Sequence, residues 1–206
     1  PVPDATDQVD VNVTVKEQPT GSIQLGAGFS SSDKLMLTGS FSQHNVFGTG
    51  KSMSITLDTS KSDRTMSLSF TDPYYTPDGI SVGYDIYHRT YDPSETIKVS
   101  RYKTVSTGAG IRLGYPIAED DQINFGLTLD RTTTETYEES PILYKDFCRQ
   151  FGCSDASGVG EVSLTSLIGS IGWRRDTRDS ARYPRKGTLQ RVSFEGTIPV
   201  GDLRYI

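Results

Sequence analysis

The chain has 206 residues, of which 34% are hydrophobic and 23% charged, and its net charge is -5. That apolar share is low for a protein with a large packed core, and the negative balance argues against a general nucleic-acid binder, so no nucleic-acid partner is expected. No run of about 18 apolar residues occurs, which excludes a transmembrane helix but leaves open transmembrane β-strands, whose signal is alternation over roughly ten residues.

Pro1-Val2-Pro3-Asp4 is neither basic nor apolar, so no signal peptide is expected there and the chain reads as part of something larger. Residues 8–17 alternate, with Val9, Val11, Val13 and Val15 against Asp10, Asn12, Thr14 and Lys16. This predicts a strand with one buried face, closed off by Pro19, and assigns it to a different sheet from the one that follows. Residues 21–43 predict a hairpin. Ile23, Leu25, Ala27 and Phe29 share one face with Leu35, Leu37 and Phe41, while Gln24, Gly26, Gly28 and Ser30 share the other with Thr38, Ser40 and Ser42.

The same period recurs downstream. Strands are expected over 51–59 (Met53, Ile55, Leu57), 64–71 (Met66, Leu68, Phe70) and 80–91 (Ile80, Val82, Tyr84, Ile86). Further strands are expected over 102–115 (Val105, Ala109, Ile111, Leu113, Tyr115) and 122–132 (Ile123, Phe125, Leu127, Leu129). The last two are 161–176 (Leu167, Gly169, Ile171, Trp173) and 188–198 (Val192, Phe194, Ile198), and 204–206 resembles the opening of another. Turns rich in glycine, proline and polar residues separate them. Residues 92–101 form a longer polar loop, and 133–160 lack any period and are expected to be a long loop.

Both long connections fall on the same rim, as in outer-membrane barrels; a soluble sandwich has no reason to sort its loops so. Face chemistry agrees. Asp85, Arg112, Asp130, Arg174 and Glu195 all lie on the polar face of regular strands. A dry core could not hold them unpaired, since each buried charge costs several kcal/mol, whereas a water-filled lumen can. The opposite face is almost free of charge, as lipid requires. Tyr74, Tyr75, Tyr102, Tyr115 and Trp173 lie near strand ends, where an interfacial aromatic girdle would be, although ordinary placement in a β protein also fits. The predicted fold is all-β: a partial antiparallel transmembrane barrel of about nine strands.

Cys148 and Cys153 are five residues apart, which fits a local disulfide in an oxidising compartment or two free thiols. His44 and His88 lie far from them, so no metal site is expected, and no cofactor. No serine–histidine–carboxylate spacing favours a triad, so the chain is not expected to be an enzyme. Glu138-Glu139 and Asp120-Asp121 read as solvated loop charges, and Arg174, Arg175 and Arg178 as partners of lumen carboxylates or of lipid headgroups.

Several pieces in order go further: Gln8-Val9-Asp10-Val11 leading to Val15-Lys16-Glu17, Thr20-Gly21-Ser22, Asn45-Val46-Phe47-Gly48-Thr49-Gly50, Asp72-Pro73-Tyr74-Tyr75, and Asp176-Thr177-Arg178 with Tyr183-Pro184 and Gly187. Together they resemble the BamA family, the central insertases of the bacterial outer-membrane barrel-assembly machinery. The resemblance implies that residues 1–19 are the tail of the last periplasmic POTRA domain with its linker, contributing a short strand, and that 20–206 are the first half of a barrel of about sixteen strands. Loops 92–101 and 133–160 would face the exterior, where a disulfide is at home, and turns 44–50, 72–79, 116–121 and 177–187 the periplasm. The implied location is the bacterial outer membrane.

The implied function is insertion of β-barrel proteins. Residues Gly21, Ser22, Ile23, Gln24, Leu25, Gly26, Ala27, Gly28 and Phe29 would form the edge of the first barrel strand, pairing with unfolded client chains at a lateral seam. The implied partners are outer-membrane lipids and those clients. In the full protein they would include the lipoproteins of the machinery, held through POTRA domains that this segment does not carry. Gly21, Gly26 and Gly28 would weaken the seam, or simply relieve crowding in a curved strand. Three other readings share parts of the pattern: a TamA-like assembly factor, a passive porin or transporter barrel, and a soluble lipocalin-like binder, the last of which would need an apolar lumen.

Overall fold

The structure, a computed structural model, describes residues 11, 13–16, 18–31, 33–93, 101–153 and 157–199. Nine strands form one antiparallel sheet: β1 (Gly21–Ser30), β2 (Lys34–Gln43), β3 (Ser52–Thr59), β4 (Asp63–Asp72), β5 (Ser81–Tyr91), β6 (Tyr102–Pro116), β7 (Asp121–Thr136), β8 (Gly160–Asp176) and β9 (Leu189–Ile198). Each pairs with the next, so spatial order equals chain order. Tight turns enforce this: Ser60 N–H donates to the Asp63 carbonyl at 2.7 Å, closing β3 onto β4.

The register is set by the alternation, because a slip of one residue would exchange the two faces. One apolar row runs across the whole sheet: Ile23, Phe41, Ile55, Leu68, Ile86, Ala109, Leu129, Leu167 and Ile198, each opposite the next. The adjacent row, on the other face, reads Gln24, Ser40, Thr56, Ser67, Tyr87, Gly108, Asp130 and Ser166. Among the described residues no second layer covers the apolar face. Leu25 is 85% exposed, Phe194 71% and Ile86 56%. An apolar surface this wide is stable only against an apolar solvent, and with every inner strand paired on both sides the backbone can enter lipid.

Strands β1 to β4 have 8–10 residues, whereas β6, β7 and β8 have 15–17. A membrane-crossing strand needs about 9–11. The surplus lies at the rim where β5 ends at Tyr91, β6 begins at Tyr102 and β7 ends at Thr136, beyond Leu129, where the outer face of β7 turns polar at Arg131 and Thr133.

Four expectations need correction. First, residues 133–160 are not one long loop: β7 continues to Thr136, and an α-helix, α1 (Ile142–Phe151), follows. The threonine run 132–134 masks the strand because neither face carries an apolar residue. The helix has a pattern of its own, since Tyr144, Phe147, Cys148 and Phe151 fall at i, i+3, i+4 and i+7 on one face. Gly152 ends it in the left-handed conformation (φ 104°), its N–H bonded to the Cys148 carbonyl.

Second, Tyr102 does not belong to an outer girdle. It shares the polar face with Thr104 and Ser106 and stacks on Tyr144 of α1, with ring centroids 4.2 Å apart. Tyr115 and Trp173 do share the apolar face, in one row with Ile123 between them. Third, residues 11 and 13–16 form no strand, and Val11, Val13 and Val15 are 77–79% exposed. Alternation alone does not make a strand without a neighbour to complete its ladder. Fourth, β4 runs from Asp63 to Asp72 and β6 ends at Pro116, each longer than the apolar pattern. The expected strand at 204–206 lies outside the described residues, as does most of loop 92–101.

Candidate functional site

Two features organise the molecule's chemistry: the free edge of β1 and the polar face. Among the described residues β1 pairs with β2 alone. His44 N–H donates to the Thr20 carbonyl at 2.9 Å, so Thr20 and His44 form a hydrogen-bonded pair one step beyond Gly21 and Gln43. Bonded and non-bonded pairs alternate along an antiparallel ladder. Ser22, Gln24, Gly26, Gly28 and Ser30 therefore bond to β2. Gly21, Ile23, Leu25, Ala27 and Phe29 aim their N–H and C=O groups at the free edge while their side chains face the apolar side.

The polar face carries linked charges. The Arg112 guanidinium grips Asp85 with two bonds (Nε to Oδ2 2.5 Å, Nη2 to Oδ1 2.9 Å) and reaches Ser69 on the strand beyond at 3.1 Å. The Tyr87 hydroxyl crosses β6 to donate to Asp130 on β7 at 2.5 Å, where Thr132 donates to the other carboxylate oxygen at 2.7 Å. Both long side chains lie over glycine: Arg112 over Gly83 and Tyr87 over Gly108, each directly opposite in the register.

Arg174 bonds Asp176 at 2.7 Å, and Arg178 bonds the same carboxylate at 2.8 Å; Asp176 is the last residue of β8 and shares the parity of Arg174, so both arginines pair with a polar-face carboxylate at the end of the sheet. Glu195 lies opposite Ser170 on the same polar face. Tyr87, Gly83 and Gly108 carried no motif in the sequence; the parity row Ser67, Tyr87, Gly108, Asp130 was the available signal. Among the described residues no three His, Cys, Asp or Glu side chains gather to hold a metal ion.

On the long-strand rim, α1 packs on the polar-face side of β7 and β8. Cys148, Val162 and Leu164 form a small buried cluster with Phe147, Phe151 and Cys153. Cys148 and Cys153 are joined by a disulfide, their Cα atoms 5.0 Å apart. The buried Thr136 hydroxyl donates its one proton to the Gly158 carbonyl at 2.8 Å, with the Gly160 carbonyl also within reach at 3.1 Å, tying the loop after α1 to the top of β7. Nearby, Lys103 pairs with Glu135 at 2.8 Å; that bond, with a second from the Tyr137 hydroxyl, holds the Glu135 carboxyl below its ordinary range.

Comparison with known proteins gives this geometry a family. The chain is 40% identical over all its 206 residues to the outer membrane protein assembly factor BamA of Neisseria meningitidis serogroup B, of which it spans 26%. It is 30% identical over 197 residues to the corresponding factor of Nitratidesulfovibrio vulgaris, spanning 22% of that protein. The chain thus corresponds to about a quarter of the length of these relatives. Among solved structures, BamA from Haemophilus ducreyi lacking POTRA domains 1–3 superposes with a TM-score of 0.70 at 27% identity, covering 91% of this chain and 36% of that one. The Omp85 superfamily domain matches residues 45–206, so the chain belongs to the Omp85 superfamily and its nine strands are wall of an outer-membrane β-barrel.

Proposed function

We propose that this chain is part of a BamA-type assembly factor that inserts β-barrel proteins into the bacterial outer membrane, with β1 as the strand that receives client chains. The observation that carries the reading is the phase of the β1 ladder. Five consecutive odd residues, from Gly21 to Phe29, offer backbone donors and acceptors to the free edge, and four of them, Ile23, Leu25, Ala27 and Phe29, extend the apolar belt with their side chains. An unpaired edge is a template for strand addition. A client strand docking there gains hydrogen bonds and lipid contact in one step.

On this reading residues 1–19 are the end of a periplasmic POTRA domain and its linker, and 20–206 are barrel. The partners are outer-membrane lipids, unfolded client barrels and, through the POTRA domains of the full protein, the lipoproteins of the machinery. The charges at Asp85, Arg112, Asp130, Arg174 and Glu195 line a wet lumen. The 40% identity to the Neisseria factor, over every residue of this chain, favours this reading over a passive porin.

Proline substitution in the complete protein tests it, because proline removes one backbone donor. Leu25→Pro or Ala27→Pro removes a donor aimed at the free edge. The expected result is loss of client assembly, with the protein itself folded and present at normal level. Gly26→Pro removes a donor bonded to β2 and should instead destabilise the β1–β2 hairpin. Normal amounts of folded client barrels in membranes carrying Leu25→Pro and Ala27→Pro would refute the templating role.

A further inference from the structure

The two ends of the apolar belt differ in charge. Along the outward face, from the middle of each strand towards the long-strand rim, the first polar residue is Thr59 on β3, Arg64 on β4, His88 on β5, Thr107 on β6, Arg131 on β7 and Thr165 on β8. All of them are exposed. They adjoin: Thr59 lies opposite Arg64, and His88, Thr107, Arg131 and Thr165 form one row. His88 Nδ1 and the Thr107 hydroxyl oxygen are 2.8 Å apart.

No carboxylate shares this strip. Among the described residues neither Arg64 nor Arg131 makes an ion pair. The outward carboxylates of β7 and β8, Glu135 and Glu161, stand four residues further along than Arg131 and Thr165, and Glu135 is held by Lys103. Asp33, on the turn before β2, accepts a bond from Ser62. At the opposite rim the basic residues of the outward face meet carboxylates instead: Lys51 pairs with Asp72 at 3.0 Å, and Arg175 lies directly opposite Asp121.

Resting on the reading of the long-strand rim as the exterior face of an outer-membrane barrel, we infer that this strip binds the phosphate groups of an anionic glycolipid in the outer leaflet. A guanidinium takes a phosphate through two parallel hydrogen bonds. Hydroxyls beside each arginine add donors: Thr59 and Thr90 lie opposite Arg64, and Thr107 and Thr165 opposite Arg131. The strip stands where the hydrocarbon ends, so a lipid whose phosphate is held there lays its acyl chains on Met66, Ile86 and Leu129, all exposed on the same face. The two arginines are three strand spacings apart, about 14 Å, with His88 between them. A headgroup with two phosphates can engage both, and its second contact is then intramolecular; a phospholipid with one phosphate engages one arginine at a time.

The test titrates the complete protein in dodecyl maltoside micelles with lipid A bearing two phosphates, bound lipid being counted by native mass spectrometry. Arg64→Gln and Arg131→Gln should each weaken binding about tenfold, and Arg131→Lys, which keeps the charge and loses the fork, should fall between. Arg175→Gln, at the opposite rim, should bind as the parent does. Phosphatidylglycerol, and lipid A stripped of its phosphates, should bind about tenfold more weakly than intact lipid A. Excess inorganic phosphate should not displace it. Heat-modifiable gel mobility checks that each variant is folded. Equal binding of the stripped lipid or of phosphatidylglycerol, displacement by inorganic phosphate, or an equal loss in Arg175→Gln would overturn the inference and leave client insertion standing. Orientation is read separately, by a membrane-impermeant maleimide on intact cells carrying Glu138→Cys. Labelling supports the exterior reading; its absence would remove that reading, and the inference with it.

Discussion

At the scale of single residues, a glycine in this sheet can be the floor for a long side chain of the neighbouring strand. Gly108 is the floor on which Tyr87 lies to reach Asp130, so its missing side chain is occupied space. Gly108→Ala would place a methyl 2.5 Å from the phenol, forcing the ring up and breaking its bond to Asp130. The expected cost is about 1–3 kcal/mol, from overpacking plus one lost charge-assisted hydrogen bond. The folded-to-unfolded mobility shift on semi-native gels should occur at a lower temperature, whereas Gly26→Ala should leave it unchanged. Equal midpoints for the two variants would show that the overlay carries no stability.

The Lys103–Glu135 pair gives a pH dependence outside the membrane band. Lys103 holds Glu135 below its unfolded value near 4.5, so the pair's contribution is complete above that value and lost as pH falls through the depressed folded one. Protection from hydrogen exchange at the tops of β6 and β7, corrected for the intrinsic rate at each pH, should fall as the pH drops below 4.5, and Glu135→Gln should remove that dependence.

At the scale of elements, legibility followed the apolar period. β1 and β2 are readable residue for residue because Ile23 to Phe29 alternate cleanly and Leu35, Leu37 and Phe41 keep one parity despite Met36 and Gly39. The upper part of β7 was not readable, because Thr132, Thr133 and Thr134 look alike on both faces and stand beyond the lipid, where no apolar face is required. Helix α1 is legible only in Tyr144, Phe147, Cys148 and Phe151 at helical spacing, four residues in a segment that otherwise lacks a period. The charged residues of the polar face follow from parity, but their partners do not: Asp85 with Arg112 depends on the register of two adjacent strands, and Asp130 with Tyr87 on that of three. The local cluster around α1 predicts independent behaviour. Phe151→Ala should cost the helix about 3 kcal/mol of local stability, since large-to-small changes at packed aromatics cost 3–5. It should raise exchange over 142–151 and leave barrel melting unchanged; a lower global midpoint would mean that α1 is part of the barrel's own cooperative unit.

At the scale of the whole molecule the claim is that one side of a single sheet meets lipid and the other water. Leu127 and Thr128 are neighbours on β7, central in their strand, and differ in little but the face they occupy: Leu127 lies in a row with Ile111 and Gly169, Thr128 with Gly110 and Ile168. An arginine at 127, two residues inside the end of the apolar stretch at Leu129, would enter hydrocarbon at a cost of about 1–3 kcal/mol, between the midplane and interface values. An arginine at 128 would enter the charged, hydrogen-bonded side that already holds Arg112 and Asp130, with Gly110 opposite to leave it room. In the complete protein, folding into phosphatidylcholine vesicles followed by urea titration should therefore show Leu127→Arg destabilised by that amount and Thr128→Arg close to the parent. The reverse order would place water against Leu127 and lipid against Asp130. The nine-strand apolar row would then need a protein layer to cover it, and the sheet could not be barrel wall.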